Sequence, residues 1–596
     1  MIEHKDNTLI LETNNTSCIL EILPSGQIEL LYYGKKIKIY DSLPLKAKIT
    51  AGIGCTVSYP QDDPFFSLDL IPLSWSGSGK GDFRHSPIEL VMPDGSFVSD
   101  FVYIGCEIIK GNIFPENLPS SYGDVDDCST LVIKTKDNLF DIELYHYWTV
   151  YEKIDVISRR CELSNNSGSE IKIRKLMSYM MDLQGGPWEL TTFDGGWIKE
   201  THVHKRPINY GMNVNDSTTG GSSHRHNPGF IVSETGCRQD TGLCFGFNLV
   251  YSGNHYSVCE LSNHDLLRVM GGINPHNFEW PLSSGESFAS PEAYFSFSNY
   301  GFNGLSANMH DFINNHIVRG KYKNQERPVL MNNWEATFFD FNESKILKMA
   351  REAKKIGVEL IVLDDGWFGA RDDDTAGLGD YDVNKKKLPG GLKHLAKKVN
   401  DLGMEFGLWF EPEMVNEDSS LYREHPDWAI KVPGREPSRG RNQLVLNLTK
   451  EEVRDYIVEN VNGILSSANI TYVKWDMNRH MTDVYSDSVA NQGMVFHSFI
   501  LGLYDVLGRI IEANPNVLFE SCSSGGNRFD PGMLCFMPQV WASDDTDPGE
   551  RLKIQEGLSY LYPLSTMGAH VSSSPHQQTL RKTRLSTRCN VSAFGL

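Results

Sequence analysis

The chain has 596 residues, of which 40% are hydrophobic and 11% aromatic, enough for two or three domains with large cores. A formal net charge of −20 excludes a nucleic-acid partner, which needs a basic face. The start, MIEHKDNTLI, has no basic or apolar leader region, and no run reaches about 18 apolar residues, so neither a secretory leader nor a membrane span is expected. The 11 cysteines lie scattered without a CxxC pair, which points to reduced thiols in a cytoplasm.

Residues 1 to about 325 read as β-rich. Short alternating segments recur at Thr16–Ile22, Ile28–Tyr33, Thr130–Lys136, Phe140–Val150, Ile171–Met177 and Gly242–Val250. Clusters such as Asn165-Asn166-Ser167-Gly168 and the stretch 213–223 break them, which predicts a large sandwich. Asp69 to Arg84 is a Gly- and Ser-rich stretch in which Lys80 is followed by Gly81. A phosphate-binding Walker loop needs Ser or Thr there, so a loop packed on a neighbouring domain is expected. His224-Arg225-His226 spells HxH. Set in a polar Ser/Asn/Pro stretch, it reads as an interaction loop rather than a metal site.

From about residue 326 strand-like runs alternate with amphipathic stretches. Val329–Asn333, Leu360–Leu363, Phe406–Phe410, Tyr472–Trp475, Val517–Glu520, Val540–Trp541 and Ala569–Val571 read as strands. Helices are expected at Ser344–Lys355, Leu392–Leu402, Glu452–Leu465 and Met494–Asn514. Repeated βα units imply a parallel sheet, and this number predicts a (β/α)8 barrel with seven strands visible. The final apolar run at 593–596 has no helix stop signal, so a C-terminally truncated chain is expected.

Chemistry-bearing residues collect where each barrel strand should end. They are Asn332, Asn333, Trp334 and Glu335; Asp364, Asp365 and Trp367; Trp409, Glu411 and Glu413; Lys474, Asp476, Asn478 and Arg479; Glu520, Cys522, Gly525, Gly526 and Arg528; and Trp541, Ser543, Asp544, Asp545 and Asp547. Lys474 and Asp476 lie two apart on one strand face, where the cation favours an ionised carboxylate. That pair is either a structural ion pair or a positioned nucleophile. Tryptophans that stack on sugar rings, with paired carboxylates, are what glycoside hydrolysis requires. Paired acids could instead hold Mg²⁺ or Ca²⁺, a reading that Lys474 disfavours. Asp372-Asp373-Asp374 lacks calcium-loop spacing and reads as a solvated loop.

NNWEATFFDF, LDDGWFGARDDD, GLWFEPEMV, GRNQLVLNL, YVKWDMNR, ESCSSGGNRFD and WASDDTD together resemble the glycoside hydrolase family 36 α-galactosidases across nearly the whole chain. The resemblance implies an N-terminal β-supersandwich (1–325), a TIM-type (β/α)8 catalytic barrel from 326, and a C-terminal β-sandwich that is missing here along with the barrel's end. It implies cleavage of terminal α-galactosides such as melibiose and raffinose with retention, and no cofactor. It makes Asp476 the nucleophile and Asp544 the acid/base. Asp364 and Asp365 would bind the galactose O4 and O6 hydroxyls, and Arg441, Lys474 and Asn478 others. Trp334 and Trp409 would shape the pocket. Cys522, in a CxxGxxR motif with Gly525 and Arg528, would approach O2. GDFR at Gly81–Arg84 and SSHRHNP at 222–228 resemble the tetrameric bacterial branch, in which a neighbour's N-terminal domain lines the site. An α-N-acetylgalactosaminidase and a non-catalytic sugar-binding or assembly protein are the alternatives. The expected partners are a small oligosaccharide and, at full length, three further copies, with no nucleic acid and no membrane.

Overall fold

The computed structural model describes residues 1–38, 42–46, 54, 56–59, 63–222 and 224–595. Antiparallel strands fill the first half. Ile2–Lys5, Thr8–Glu12, Thr16–Ile22 and Ile28–Lys35 form a meander. A larger sheet includes, in spatial order, His202–Pro207, Trp188–Asp194, His226–Glu234, Cys244–Leu249, Ala293–Ser298, Val156–Asn165, Ile142–Tyr151, Cys128–Asp137 and Phe101–Lys110. A third sheet is built on Ile171–Leu183, which pairs with Leu267–Ile273, Ile88–Val91 and Trp280–Leu282. Alternation explains the faces: Ile142–Tyr151 buries every second residue over its first half and is covered on both faces beyond. Aromatics fill the space between sheets. Tyr179 and Phe230 each stack on Phe247, with ring centroids 5.6 and 5.0 Å away. Arg159 is buried among them, its guanidinium 4.0 Å over Trp148 and donating to the carbonyls of Ser74 and Met180, which offsets the cost of burying its charge.

The stretch from Asp69 to Arg84 departs from expectation. It packs within its own domain rather than on a neighbouring one, because a buried ion network ties it down. Arg84 bonds Asp82 at 2.7 Å and Asp182 at 2.8 Å, and Arg268 bonds the same two acids at 2.7 and 2.8 Å. The SSHRHNP stretch is only partly a loop, since His226 opens the strand His226–Glu234; Ser223 lies outside the described residues.

The second half is a parallel sheet in chain order: β1 (Leu330–Asn332), β2 (Leu360–Leu363), β3 (Glu405–Phe410), β4 (Tyr472–Trp475), β5 (Leu518–Ser521), β6 (Gln539–Trp541) and β7 (Met567–Gly568). Helices return the chain between strands, among them Glu343–Lys355, Gly391–Asn400, Glu451–Ser467, Val495–Ala513 and Pro548–Ser559. The Asn342 side chain caps the first by accepting from Lys345 N–H at 3.0 Å. Asp547 caps the last by accepting from Gly549 N–H at 2.8 Å. The last strand was expected at Ala569–Val571 and lies two residues earlier, where Met567 and Gly568 register with Val540 and Trp541. Among the described residues β1 pairs only with β2 and β7 only with β6, so the sheet is a half-barrel with two open edges and no eighth strand.

One helical stretch, 492–513, is long and apolar enough to cross a membrane, which a count of uninterrupted apolar residues missed. Here it is a core helix: Phe499, Ile500, Leu503, Val506, Leu507 and Ile510 are buried. It also meets the N-terminal sandwich, where Tyr251 hydroxyl and His497 Nδ1 lie 2.9 Å apart. Asp530, buried, accepts from Ser222 at 2.7 Å and Ser252 at 2.8 Å, and Asn227 donates to the Phe529 carbonyl at 2.9 Å. The SSHRHNP stretch thus binds the chain's own barrel.

Candidate active site

A cavity of about 1430 Å³ opens at the C-terminal ends of the parallel strands and runs down the open edge between β1 and β7. Trp334, Asp364, Asp365, Trp409, Arg441, Lys474, Asp476, Asn478 and Asp544 line it. Six segments far apart in sequence therefore converge, as the strand-end reading requires.

Asp476 follows β4 directly. Trp409 Nε1–H donates to its Oδ2 at 3.0 Å and Met477 N–H to its Oδ1 at 2.9 Å. Burial works to raise its pKa, but Lys474, Asn478, Cys522 and Trp409 outweigh this and hold it below the usual carboxylate range. The Lys474 ammonium acts on Asp476 through its charge, and its direct partner is Asp364 Oδ2 on β2's end, at 3.2 Å. Burial opposes its charge, and Asp364, Cys522, Asp476 and Asp544 keep it protonated. Asp364 also accepts from Asn332 Nδ2 at 2.5 Å, while its N–H donates to Asn333 Oδ1 at 2.7 Å, so β1 orients β2's acid.

Asp544 follows β6. Trp197 Nε1–H donates to its Oδ2 at 2.9 Å and Trp541 Nε1–H to its Oδ1 at 3.1 Å. Its pKa is raised, first by burial and then by the nearby charge of Asp476, against those two donors and Lys474. Two carboxyl groups facing one cavity are thus pushed in opposite directions. Asp545 is turned away and accepts from Asp547 N–H at 2.9 Å. Asp547 caps its helix and pairs with Arg581, not with Arg551, whose guanidinium lies 5.2 Å over Trp541 and bonds backbone carbonyls.

Several residues sit elsewhere than the sequence implied. Arg528 does not reach the cavity. It is fully buried, its guanidinium gripping Glu413 at 2.8 and 3.0 Å and Ser523 at 2.8 Å. Gly525 is a packing position: at φ +79° its missing Cβ would meet Glu200 Oε1 at 2.6 Å and Asp544 N at 2.9 Å. Cys522 is buried behind the wall, its thiol toward Asp476. Asp365 lines the cavity with both oxygens already held by Arg371, at 2.7 and 2.8 Å. Arg441 and Asn442 both have positive φ, 49° and 59°, in the loop before Gln443–Val445. Two such non-glycine residues side by side are a strained arrangement of the sort that functional sites retain.

Two contributors, Trp197 and Glu200, escaped the sequence reading. Trp197 lies 347 residues before Asp544, in the sandwich, on a turn that needs glycine: a Cβ at Gly195 would meet Lys199 O at 1.7 Å. Glu200, three residues on, is buried against Gly525, and burial pushes its pKa up to about 8. Glu411 is buried beside Asp476, pushed up to about 7 by burial and then by that charge, and accepts from Gln443 at 2.6 Å. The FDGGW sequence, an aromatic after paired glycines, was the only local signal for the first.

The chain was compared with known proteins. A family profile described as Melibiase matches residues 287–596, and one described as the glycosyl hydrolase family 36 N-terminal domain matches residues 26–283. "Alpha-galactosidase AgaA" of Geobacillus stearothermophilus is 42% identical over 98% of this chain and 80% of its own length. "Alpha-galactosidase Mel36A" of Lactobacillus acidophilus is 41% identical over 100% and 82%. The crystal structure of AgaA superposes with a TM-score of 0.97 at 42% identity, covering 99% of this chain and 82% of that one. A variant of it in complex with raffinose gives 0.96 at 41% identity, with the same coverage. The chain spans about four-fifths of these relatives, and the expected truncation finds no support in them. Both halves and their order agree with one lineage: the chain belongs to glycoside hydrolase family 36.

Proposed function

We propose that this protein is a retaining α-galactosidase that removes terminal α-D-galactosyl residues from galacto-oligosaccharides. The observation that carries the reading is the split between two carboxyl groups on one cavity, Asp476 held low and Asp544 held high. An ionised Asp476 attacks the anomeric carbon while a protonated Asp544 gives its proton to the leaving oxygen. Asp544, now ionised, then takes a proton from water, which displaces Asp476 from the galactosyl–enzyme intermediate. Asp364 and Asp365 accept from the O4 and O6 hydroxyls, and their fixed tethers to Lys474 and Arg371 hold them in place. Arg441, Lys474 and Asn478 hold further hydroxyls, and Trp334 and Trp409 bound the ring.

Preference for a free O2 hydroxyl over an acetamido group rests on the likeness to the α-galactosidases, since Cys522 lies behind the wall beside Asp476. A chromogenic α-galactoside assayed beside its N-acetylgalactosaminide counterpart tests the function. Strong preference for the galactoside is expected. Comparable kcat/KM on both refutes the O2 assignment, and turnover of neither refutes the enzyme reading. We further infer a homotetramer, supported by exposed Phe65, Phe83 and Phe97 in the N-terminal loops. The unpaired state of the ten described cysteines supports a cytoplasmic location. The eighth barrel unit of a full (β/α)8 fold would close the edge between β1 and β7.

A further inference from the structure

The turn between the strands Trp188–Asp194 and His202–Pro207 reaches from the sandwich to the barrel and carries Trp197. The indole is 53% exposed, so little packing of its own keeps it against Asp544. The turn is also strained. Ile198 and Thr201, both β-branched, have φ of 60° and 53°, where such side chains are rarely found. A conformation of that kind persists only where its surroundings fix it.

Two ties fix it. Thr201 Oγ1 donates to the Ile554 carbonyl at 3.0 Å, and a Cβ at Gly557 would meet Thr201 O at 1.7 Å, so this end lies directly on the helix Pro548–Ser559. The other tie is Glu200. It is fully buried, and its Oε1 accepts from Ile198 N–H inside the turn at 3.2 Å. The same carboxyl abuts the barrel: a Cβ at Gly525 would meet Oε1 at 2.6 Å, and one at Gly526 would meet Cγ at 3.7 Å. Its Oε2 is buried with no hydrogen-bond partner. Burial pushes its pKa up to about 8, the Asp544 charge acting in the same direction and Ser543 and the Ile198 N–H against it. Arg551 is the other charged group that faces it. A carboxyl that keeps its proton near pH 7 adds no charge beside Asp544, and burying it costs far less than burying an ion.

We propose that Glu200 is a positioning residue for the acid/base: it pins the strained turn to the barrel beside the end of β6, and the pinned turn holds the Trp197 indole on Asp544. The inference rests on the α-galactosidase reading. Glu200 does not line the cavity, so it meets neither the sugar nor the reacting atoms. Its effect passes through one hydrogen bond, from Trp197 Nε1–H to Asp544 Oδ2 at 2.9 Å. That bond orients the carboxyl that must reach the leaving oxygen, and it favours the charged form of Asp544.

The test compares Glu200→Met and Glu200→Gln on melibiose and on an aryl α-galactoside across pH. Glu200→Met removes the oxygen acceptor. Its kcat on melibiose should fall roughly tenfold to a hundredfold, with KM little changed and the aryl substrate far less affected. Its alkaline limb of kcat/KM should move to higher pH, because the released indole no longer favours the charged form of Asp544. Added to Trp197→Phe, Glu200→Met should shift the limb no further. Glu200→Gln keeps an acceptor without a charge, so rates and limb should both stay. Ile198→Gly, at a half-buried position, loosens the same turn and should act as Glu200→Met does, which keeps the test open if that variant fails to fold. Unchanged rates in the folded Glu200→Met and Ile198→Gly variants, or equal losses on both substrates, overturn the positioning role. A limb that moves to lower pH in either Glu200 variant overturns it as well, since Glu200 would then act by its charge. No turnover of the aryl substrate by the unaltered chain overturns the underlying reading, and the positioning role with it.

Discussion

Arg528→Met should destabilise the fold and leave galactose recognition in the surviving folded protein nearly intact. The arginine makes three side-chain bonds, to both oxygens of Glu413 and to Ser523 Oγ, and the two ion-pair partners are 1% and 0% exposed. Methionine keeps the volume and removes all three. Glu413 is left with the Trp475 indole N–H at 2.8 Å as its donor. Breaking a buried pair from one side costs about 3–5 kcal/mol, chiefly because the remaining charge is uncompensated. Adding Glu413→Gln removes that charge and keeps an acceptor for Trp475, so the double variant should recover about half of the loss. Urea unfolding followed by tryptophan fluorescence reads the stabilities, and KM for melibiose below the transition reads binding. An unchanged unfolding midpoint with a raised KM would show that Arg528 contacts substrate, and the packing argument would be wrong.

Asp476→Asn should abolish turnover with the fold retained, by orders of magnitude in kcat, and a 2-deoxy-2-fluoro-galactoside should label Asp476; a label on another residue refutes the nucleophile. Asp544→Ala should slow poor leaving groups far more than aryl galactosides, with azide restoring the latter as galactosyl azide. The same rescue in Asp545→Ala and its absence in Asp544→Ala would move the acid by one residue. Trp197→Phe removes a donor that favours the charged form of Asp544, so the carboxyl should hold its proton more tightly and the alkaline limb of kcat/KM should move to higher pH. A limb that stays fixed or moves down would refute the tether.

The strand-end acids were legible because a parallel barrel puts its chemistry at one place on every βα unit, and β2, β3 and β4 are short apolar runs with clear polar ends. Asp364, Asp476 and Asp544 followed from that pattern. The seventh strand was misplaced because Met567–Gly568 is two residues long, too short for periodicity to register. Arg528 misled because a motif's spacing does not say which side of a wall its arginine takes. Trp197 was invisible for a different reason: its importance depends on a contact between halves that no local pattern encodes. The Asp69–Arg84 stretch read as a docking loop since its acids and arginine look solvated in sequence, whereas mutual pairing lets them be buried.

The seam at Asp530 has a further meaning. That carboxyl takes two serine hydroxyls from the sandwich, and it also begins the short helix Pro531–Leu534 by accepting from Met533 N–H at 2.9 Å. The same run of chain, 522–530, carries Cys522 and Ser524 to Asp476. Alignment of the two halves is therefore transmitted to the reacting carboxyl through nine residues of continuous backbone. A drug-sized wedge or a crosslink at this joint, more than 500 residues from the first strand yet touching both bodies, would act as a remote brake on galactosyl transfer without entering the sugar pocket.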